Sequence, residues 1–162
     1  MPLSITSMKI SSPLPAQFDR RLISQALTNI IKNATEAIEQ VPREELGKGR
    51  IEVIAAREGD DIVIDVIDNG VGLPKVSRSR LLEPYVTTRE KGTGLGLAIV
   101  GRILEEHGGG IELRDAAEKF PGERGAWMRL HFIDERVTSP IGPEAQVSHA
   151  VSPDKSEVLS EH

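Results

Sequence analysis

Apolar residues recur at three- and four-residue spacing from Phe18 to Val41, and no other feature constrains the fold of this chain so strongly. This spacing gives a helix one apolar stripe, which is stable only when it is buried against another element. Pro42 ends the pattern, because proline lacks the backbone N–H that a helical hydrogen bond needs. We therefore predict a long amphipathic helix over residues 18–41. Its stripe consists of Phe18, Leu22, Ile23, Ala26, Leu27, Ile30, Ile31, Ala34, Ala37, Ile38 and Val41.

Two β-rich segments follow this helix. Residues 50–57 and 61–67 are dominated by Ile, Val and Ala, which suit strands. The intervening Glu58, Gly59 and Asp60 are residues typical of a turn. We therefore expect an antiparallel hairpin.

A long segment without apolar periodicity precedes Leu95, and loops of this length in a compact domain are usually functional. Residues 95–107 then predict a second amphipathic helix, which three glycines at 108–110 end. Further strands are expected near 111–114 and 126–132. The predicted order is helix, hairpin, loop, helix and two strands.

This order, in a chain of 162 residues, predicts one α/β domain. We expect a two-layer sandwich with a mixed, mainly antiparallel β-sheet on one side and helices on the other. The domain is placed at residues 18–133. It follows a leader at 1–17, in which residues 8–10 form at most a short edge strand. It precedes a tail at 134–162, predicted to be disordered because it is rich in Pro, Ser and Glu and has no sustained apolar face.

Composition excludes several classes of protein. The net charge is −5, from 20 Lys and Arg against 25 Asp and Glu, so nucleic-acid binding is not expected. The absence of cysteine excludes disulfide scaffolds and Cys-based metal sites. No window approaches the apolar length of a membrane-spanning helix, and no targeting signal precedes the first helix. We expect a soluble, cytoplasmic piece.

The first helix carries a pair of amides. Asn29 and Asn33 are four residues apart and therefore lie on one face, with Glu36 close to the same line. That line follows the border between the apolar stripe and the charged face, where a side chain can point into a cleft. Taken alone, the pair is better explained as a solvated helix edge, and it gains weight only from the neighbouring motifs.

A carboxylate stands at the end of the second hairpin strand. Asp68 follows the apolar residues 62–67 directly and is itself followed by Gly70 and Gly72. Such a carboxylate can accept a hydrogen bond from an exocyclic amine, while glycines let a ligand approach the backbone closely. An ordinary turn explains the same residues as well.

Alternate glycines lead into the second helix. Gly92, Gly94 and Gly96 run into a helix start whose free backbone N–H groups favour an anion, and phosphate is the natural ligand. A flexible linker would not usually continue into an apolar-periodic helix. The segment is not a dinucleotide fingerprint, since Leu97 and Ile99 occupy the positions of its third glycine, and a Walker A motif is absent.

In this order, the three segments resemble the N, G1 and G2 boxes of the GHKL (Bergerat-fold) ATP-binding family, over roughly residues 18–132. Residues 83–88 resemble the F box of histidine kinases, with Tyr85 where Phe is usual. The segments NIIKNATEA (29–37) and TTREKGTGLGL (87–97) are most similar to the nitrogen-regulation class of sensor kinases (NtrB- and NtrY-like). The resemblance implies a Bergerat ATP-binding fold with a mobile lid, in the catalytic domain of a bacterial sensor histidine kinase.

The resemblance also implies a role for each matching residue. Asn33, with Asn29, would hold a Mg²⁺ ion that bridges the ATP phosphates, since an amide oxygen suits this hard cation. Asp68 would accept the adenine amino group, and Gly70 and Gly72 would shape the base pocket. The lid would contribute the other nucleotide-binding residues, which are Thr88, Arg89, Lys91, Gly92, Thr93, Gly94, Leu95 and Gly96. Arg89 and Lys91 would either add positive charge near the phosphates or form a solvated lid surface.

Two departures from the family pattern bear on the reaction. In gyrase-, Hsp90- and MutL-like members, a Glu four residues before the Mg²⁺-binding Asn activates water, and here that position is Asn29. An amide cannot act as a general base at neutral pH, so no certain catalytic residue is assigned and Asn29 is the one candidate. Many kinases of the family place a basic residue three after the second Asn, where this chain has Glu36. No phosphate contact is therefore assigned to Glu36.

None of the four histidines lies in a phosphoacceptor context. The implied activity is delivery of the ATP γ-phosphate to a His on a dimerisation domain absent from this chain, with a response regulator served indirectly. The fragment is expected to bind ATP or ADP as a monomer, and its parent could be membrane-anchored. Two alternatives remain open: a GHKL-type ATPase that uses Glu36, and a degenerate, non-catalytic interaction module.

Overall fold

Five strands in one sheet and two helices packed on it account for most of residues 4–10, 16–86 and 95–138, which the computed structural model describes. The strands are β1 (Ser4–Ile10), β2 (Arg50–Glu58), β3 (Asp61–Asp68), β4 (Gly110–Asp115) and β5 (Ala126–Ile133). The helices are α1 (Arg20–Glu39), α2 (Arg43–Leu46), α3 (Gly96–Glu106) and α4 (Glu135–Thr138), with 3-10 turns at Arg78–Leu82 and Ala116–Glu118.

The sheet has the strand order β1-β2-β3-β5-β4. β1 runs parallel to β2, and the remaining neighbours are antiparallel. In the β2–β3 hairpin Glu58 pairs with Asp61 across the turn, as the sequence indicates. The prediction of a mixed, mainly antiparallel sheet with helices is confirmed.

Local capping sets the start of α1. The periodicity predicts a helix from residue 18, whereas α1 begins at Arg20 because Asp19 is its N-cap. The Asp19 carboxylate accepts hydrogen bonds from the backbone N–H groups of Arg21 at 3.0 Å and Leu22 at 3.2 Å. A capping carboxylate satisfies amides that have no partner within the helix. The helix ends at Glu39, before Pro42.

The side chains of β3 alternate between the two faces of the sheet, and each face carries an apolar cluster. Ile62, Ile64 and Val66 face the helices and share one buried core with residues of α1, α3 and β5. On the opposite face, Ile67 and Trp127 form a smaller cluster with residues of the 3-10 turn after β4. Side chains two apart in a strand share a face. Asp68 follows Val66 by two residues, so it lies on the helix-covered face at the end of β3.

The folded part of the chain continues past residue 133, whereas the tail was predicted to begin at residue 134. Asp134 is 1% exposed, and α4 follows it. The Asp134 carboxylate binds the guanidinium groups of Arg57 at 2.8 Å and Arg136 at 2.7 Å, and it accepts the backbone N–H of Gln17 at 3.0 Å. This buried carboxylate joins the entry to α1 to the exit from β5. At the other end of the chain, β1 is longer than the predicted segment 8–10.

Hydrogen bonds from Arg136 and Arg57 hold the pKa of the Asp134 carboxyl well below its usual range. A lowered pKa in the folded state stabilises the fold above the unfolded value of about 4, and this stabilisation is lost as the pH falls through the folded value. We expect Asp134→Asn to lower stability at pH 7 and to flatten the dependence of stability on pH below about 4. Urea unfolding followed by fluorescence of Trp127, the single tryptophan, would measure both effects.

Asp60→Asn is a suitable control for this experiment, because that side chain is exposed. An acid-side slope that is the same in Asp134→Asn as in the unmodified protein would contradict the assignment. Within the described ranges, no helix has the length and apolar character needed to cross a membrane.

Candidate functional site

Asp68 is a buried carboxylate held by the backbone on two sides. It is the last residue of β3 and is 4% exposed. Its Oδ1 accepts the N–H of Gly70 at 2.8 Å and lies 3.4 Å from the N–H of Ala126, the first residue of β5. A buried charged group needs such partners, because desolvation of a carboxylate is costly. The two contacts hold Oδ1 of the carboxylate in place at the end of β3.

The turn after Asp68 rests directly on α1. A Cβ placed at Gly70 would lie 2.5 Å from the carbonyl carbon of Ala37, and Val71 donates its N–H to the carbonyl oxygen of Ala37 at 3.1 Å. Glycine is therefore required at position 70 by the approach of the helix. The sequence predicted only that Gly70 shapes a base pocket.

The same contact sets where Asn33 lies relative to the Asp68 turn. Asn33 precedes Ala37 by four residues, so it lies one helical turn along α1 from the residue that the turn contacts. Asn29 lies one further turn toward the start of the helix, and both amides are half-buried next to the buried residues Ile30 and Ala34. The amide pair therefore lies on the row of α1 that leads to the contact with the Asp68 turn.

A second loop closes on the Asp68 turn from β5. Gly72 has φ of +84°, and a Cβ there would be 3.5 Å from the carbonyl oxygen of Gly125. Gly125 in turn lies against the backbone of Asp68. Sequence reasoning missed Gly125, because nothing local in its neighbourhood indicates a contact with a residue so far away in the chain.

Asn69 holds the turn against the start of β2, and this role was not predicted from the sequence. Its Oδ1 accepts the N–H of Arg50 at 2.7 Å, and its Nδ2 donates to the carbonyl oxygen of Lys48 at 2.8 Å. The available signal was the residue type, since asparagine in a turn often binds nearby backbone groups. Asn69 therefore holds the backbone next to Asp68 against the start of β2.

The predicted lid is described only at its end. Leu95 precedes α3 and accepts the N–H of Ile99 at 2.9 Å, and Gly96 is the first residue of the helix. No described atom lies within 4 Å of a Cβ built at Gly96, so contacts with the described residues do not require glycine there. The other predicted lid residues lie outside the described residues: Thr88, Arg89, Lys91, Gly92, Thr93 and Gly94.

The segment that leads toward the lid is anchored at Arg78. Its guanidinium donates to the carbonyl oxygen of Pro74 at 2.6 Å and to the carboxylate of Asp115 at 2.6 Å. Ser77 and Tyr85 on either side have φ of 56° and 67°, in the left-handed region. Non-glycine residues in that region are strained by about 1–3 kcal/mol, and such strain clusters at functional sites. Tyr85 is also 78% exposed.

Residues 18–136 match the family described as histidine kinase-, DNA gyrase B- and HSP90-like ATPases. This match covers more than half of the chain, and the chain belongs to that family.

Curated relatives place the chain among the sensor histidine kinases of this family. Nitrogen regulation protein NtrY of Azorhizobium caulinodans is 61% identical over 149 residues, which are 92% of this chain and 18% of NtrY. Sporulation kinase B of Bacillus subtilis is 38% identical over 101 residues, 62% of this chain and 22% of that kinase. The chain therefore spans about a fifth of the length of these relatives.

Solved structures agree with the sequence relatives. The nucleotide-free catalytic domain of histidine kinase ThkA has a TM-score of 0.65 and 27% identity, covering 79% of this chain and 78% of that one. Full-length ShkA in complex with AMPPNP has a TM-score of 0.59 and 31% identity, covering 79% of this chain and 24% of ShkA. The chain is a catalytic, ATP-binding domain of the sensor histidine kinase type and is NtrY-like, as its motifs predict.

Proposed function

We propose that this domain binds Mg·ATP beside the contact between α1 and the Asp68 turn and presents the γ-phosphate to a His on a dimerisation domain outside this chain. The buried Asp68 carboxylate carries the proposal, since two backbone amides hold it at the start of the turn that contacts α1 at Ala37, one helical turn from Asn33. A response regulator would receive the phosphoryl group from that His. The nucleotide-binding domain itself would comprise residues 18–133, extended to the Asp134 contacts.

Asp68 would recognise the base. A carboxylate only accepts hydrogen bonds, so it selects a purine that carries an exocyclic amine and disfavours one with a carbonyl at the same position. Gly72 and Gly125, which pack on each other, would let the base lie close to the backbone.

Asn33 and Asn29 would hold Mg²⁺ together with the phosphates. Amide oxygens are ligands that Mg²⁺ accepts, and a neutral pair leaves the charge of the ion to neutralise the phosphates. The remaining predicted contacts, from Thr88 to Gly96, would border the phosphates.

Phosphoryl transfer to a protein is favoured over hydrolysis by the amide at Asn29, since it offers no base to activate water.

The experiment is incubation of the chain with ATP that carries a labelled γ-phosphate, alone and with an NtrY-type dimerisation domain. We expect no label on the chain alone and an acid-labile phosphohistidine on the dimerisation domain when both are present. A stable phosphohistidine on this chain alone would refute the proposal that the phosphoacceptor His lies outside this chain.

Two further outcomes correspond to the alternatives. Steady ATP turnover that Glu36→Ala abolishes would assign the chain to the hydrolysing ATPases. Failure of the folded chain to bind ADP in a calorimetric titration would assign it to interaction modules that have lost the nucleotide.

A further inference from the structure

The loop that enters β5 lies against the backbone of Asp68 with no room for a side chain. Gly125 has φ of +107°, in the region that L side chains rarely adopt. A Cβ at this position would overlap the carbonyl oxygen of Asp68 and would lie 2.7 Å from its carbonyl carbon. It would also lie 2.9 Å from the Cα of Asn69. Any larger residue at position 125 therefore separates the two segments.

This close approach sets the position of one hydrogen-bond donor to the carboxylate. Ala126, the next residue, directs its N–H to Oδ1 of Asp68 at 3.4 Å, which is already long for an N–H···O bond. The carbonyl oxygen of Gly125 accepts the N–H of Ala116 at 3.0 Å, so a hydrogen bond to the segment after β4 also holds the loop in place. A small outward shift of the loop would break the Ala126 contact, while the contact from Gly70 would remain.

We infer that Gly125 is a positioning residue that sets the selectivity of the site for a purine with an exocyclic 6-amine over a 6-oxo purine. It holds the Asp68 carboxylate in the orientation that accepts the amine. The inference rests on the proposed function, since it concerns the base-recognition end of the same site. Gly125 itself donates nothing to the base and acts through the backbone of Asp68 and Ala126.

The test compares ADP with IDP, which carries a carbonyl in place of the amine. In Gly125→Ala we expect ADP affinity to fall about fivefold, because one contact that orients the carboxylate is lost, while IDP affinity stays unchanged. The ratio of the two dissociation constants, measured by calorimetric titration, therefore moves toward one. A purely structural role would weaken both nucleotides equally, and that result would overturn the inference.

Gly122→Ala is the matched control. Gly122 also has a left-handed φ, +85°, but no described atom lies within 4 Å of a Cβ built there. The variant carries a similar backbone strain in the same loop without touching Asp68. We expect its ratio of ADP to IDP affinity to equal that of the unmodified protein, and an equal loss of selectivity in both variants would also overturn the inference.

A second measurement covers the case in which Gly125→Ala does not fold. In the unmodified protein, the amide resonance of Ala126 should shift more on saturation with ADP than with IDP, because only ADP shares the Asp68 carboxylate. Equal shifts would overturn the inference. If the unmodified protein binds neither nucleotide, the proposed function fails; if it prefers ADP and Gly125→Ala keeps that preference, only the role of Gly125 fails.

Discussion

Asp68→Asn is expected to weaken ADP binding on the order of 100-fold while leaving the fold intact. The new amide oxygen can still accept the N–H groups of Gly70 and Ala126, so the turn keeps its backbone contacts. A hydrogen bond to a charged acceptor contributes about 1.5–3 kcal/mol, and each 1.4 kcal/mol is about a tenfold change in affinity. The Nδ2 group of the new Asn would also direct a hydrogen-bond donor at the amino group of the base, which is itself a donor. Calorimetric titration of ADP measures the effect.

Asp65→Asn is the control for this prediction. Asp65 is a buried carboxylate on the same strand, but its Oδ1 accepts the indole N–H of Trp127 at 2.8 Å on the opposite face of the sheet. This variant removes another buried charge of β3, one that also pairs with Lys119 at 3.4 Å and Arg129 at 3.8 Å, without touching the proposed site. ADP affinity that falls equally in both variants would show that loss of a β3 carboxylate acts through stability rather than through recognition of the base.

The sheet and the two long helices could be predicted because their signals are local. Periodicity within α1 and the apolar run of β3 are properties of consecutive residues, and burial of those faces confirms them. Errors at the ends have local causes too. The start of α1 depends on the cap at Asp19, which periodicity alone does not register.

Contacts between distant residues could not be predicted in the same way. Arg57 and Asp134 are 77 positions apart, and their ion pair extends the folded chain beyond the predicted start of the tail. Ala126 meets Asp68 from 58 positions away. A single sequence offers residue types at both places but no indication that they meet. Asp68 and Asn33 could be selected as candidates from motif order, whereas Gly125 and Asn69 depend on the packing of loops.

Asn33→Ala is expected to remove most of the Mg²⁺ dependence of ATP-analogue binding. The amide lies one helical turn from the contact between Ala37 and the Asp68 turn, where α1 borders the proposed nucleotide site. Loss of the side-chain oxygen would remove the residue proposed to hold Mg²⁺ on the helix, so the ion would no longer link the nucleotide to α1. In the presence of Mg²⁺ we expect AMPPNP affinity to fall on the order of 30-fold, toward the Mg²⁺-free value. Parallel titrations with Mg²⁺ and with a chelator measure the difference.

Gln25→Ala controls for removal of an amide from α1, because Gln25 is exposed two turns before Asn33. Its Mg²⁺ dependence should match that of the unmodified protein. Asn33→Asp separates the two contributions of Asn33, since a carboxylate restores an oxygen ligand but places a negative charge beside the phosphates. Recovery of Mg²⁺ dependence in this variant, at a lower overall affinity, would identify Asn33 as a ligand. Equal Mg²⁺ dependence in Asn33→Ala and in the unmodified protein would contradict that assignment and place the ion on the phosphates and lid alone.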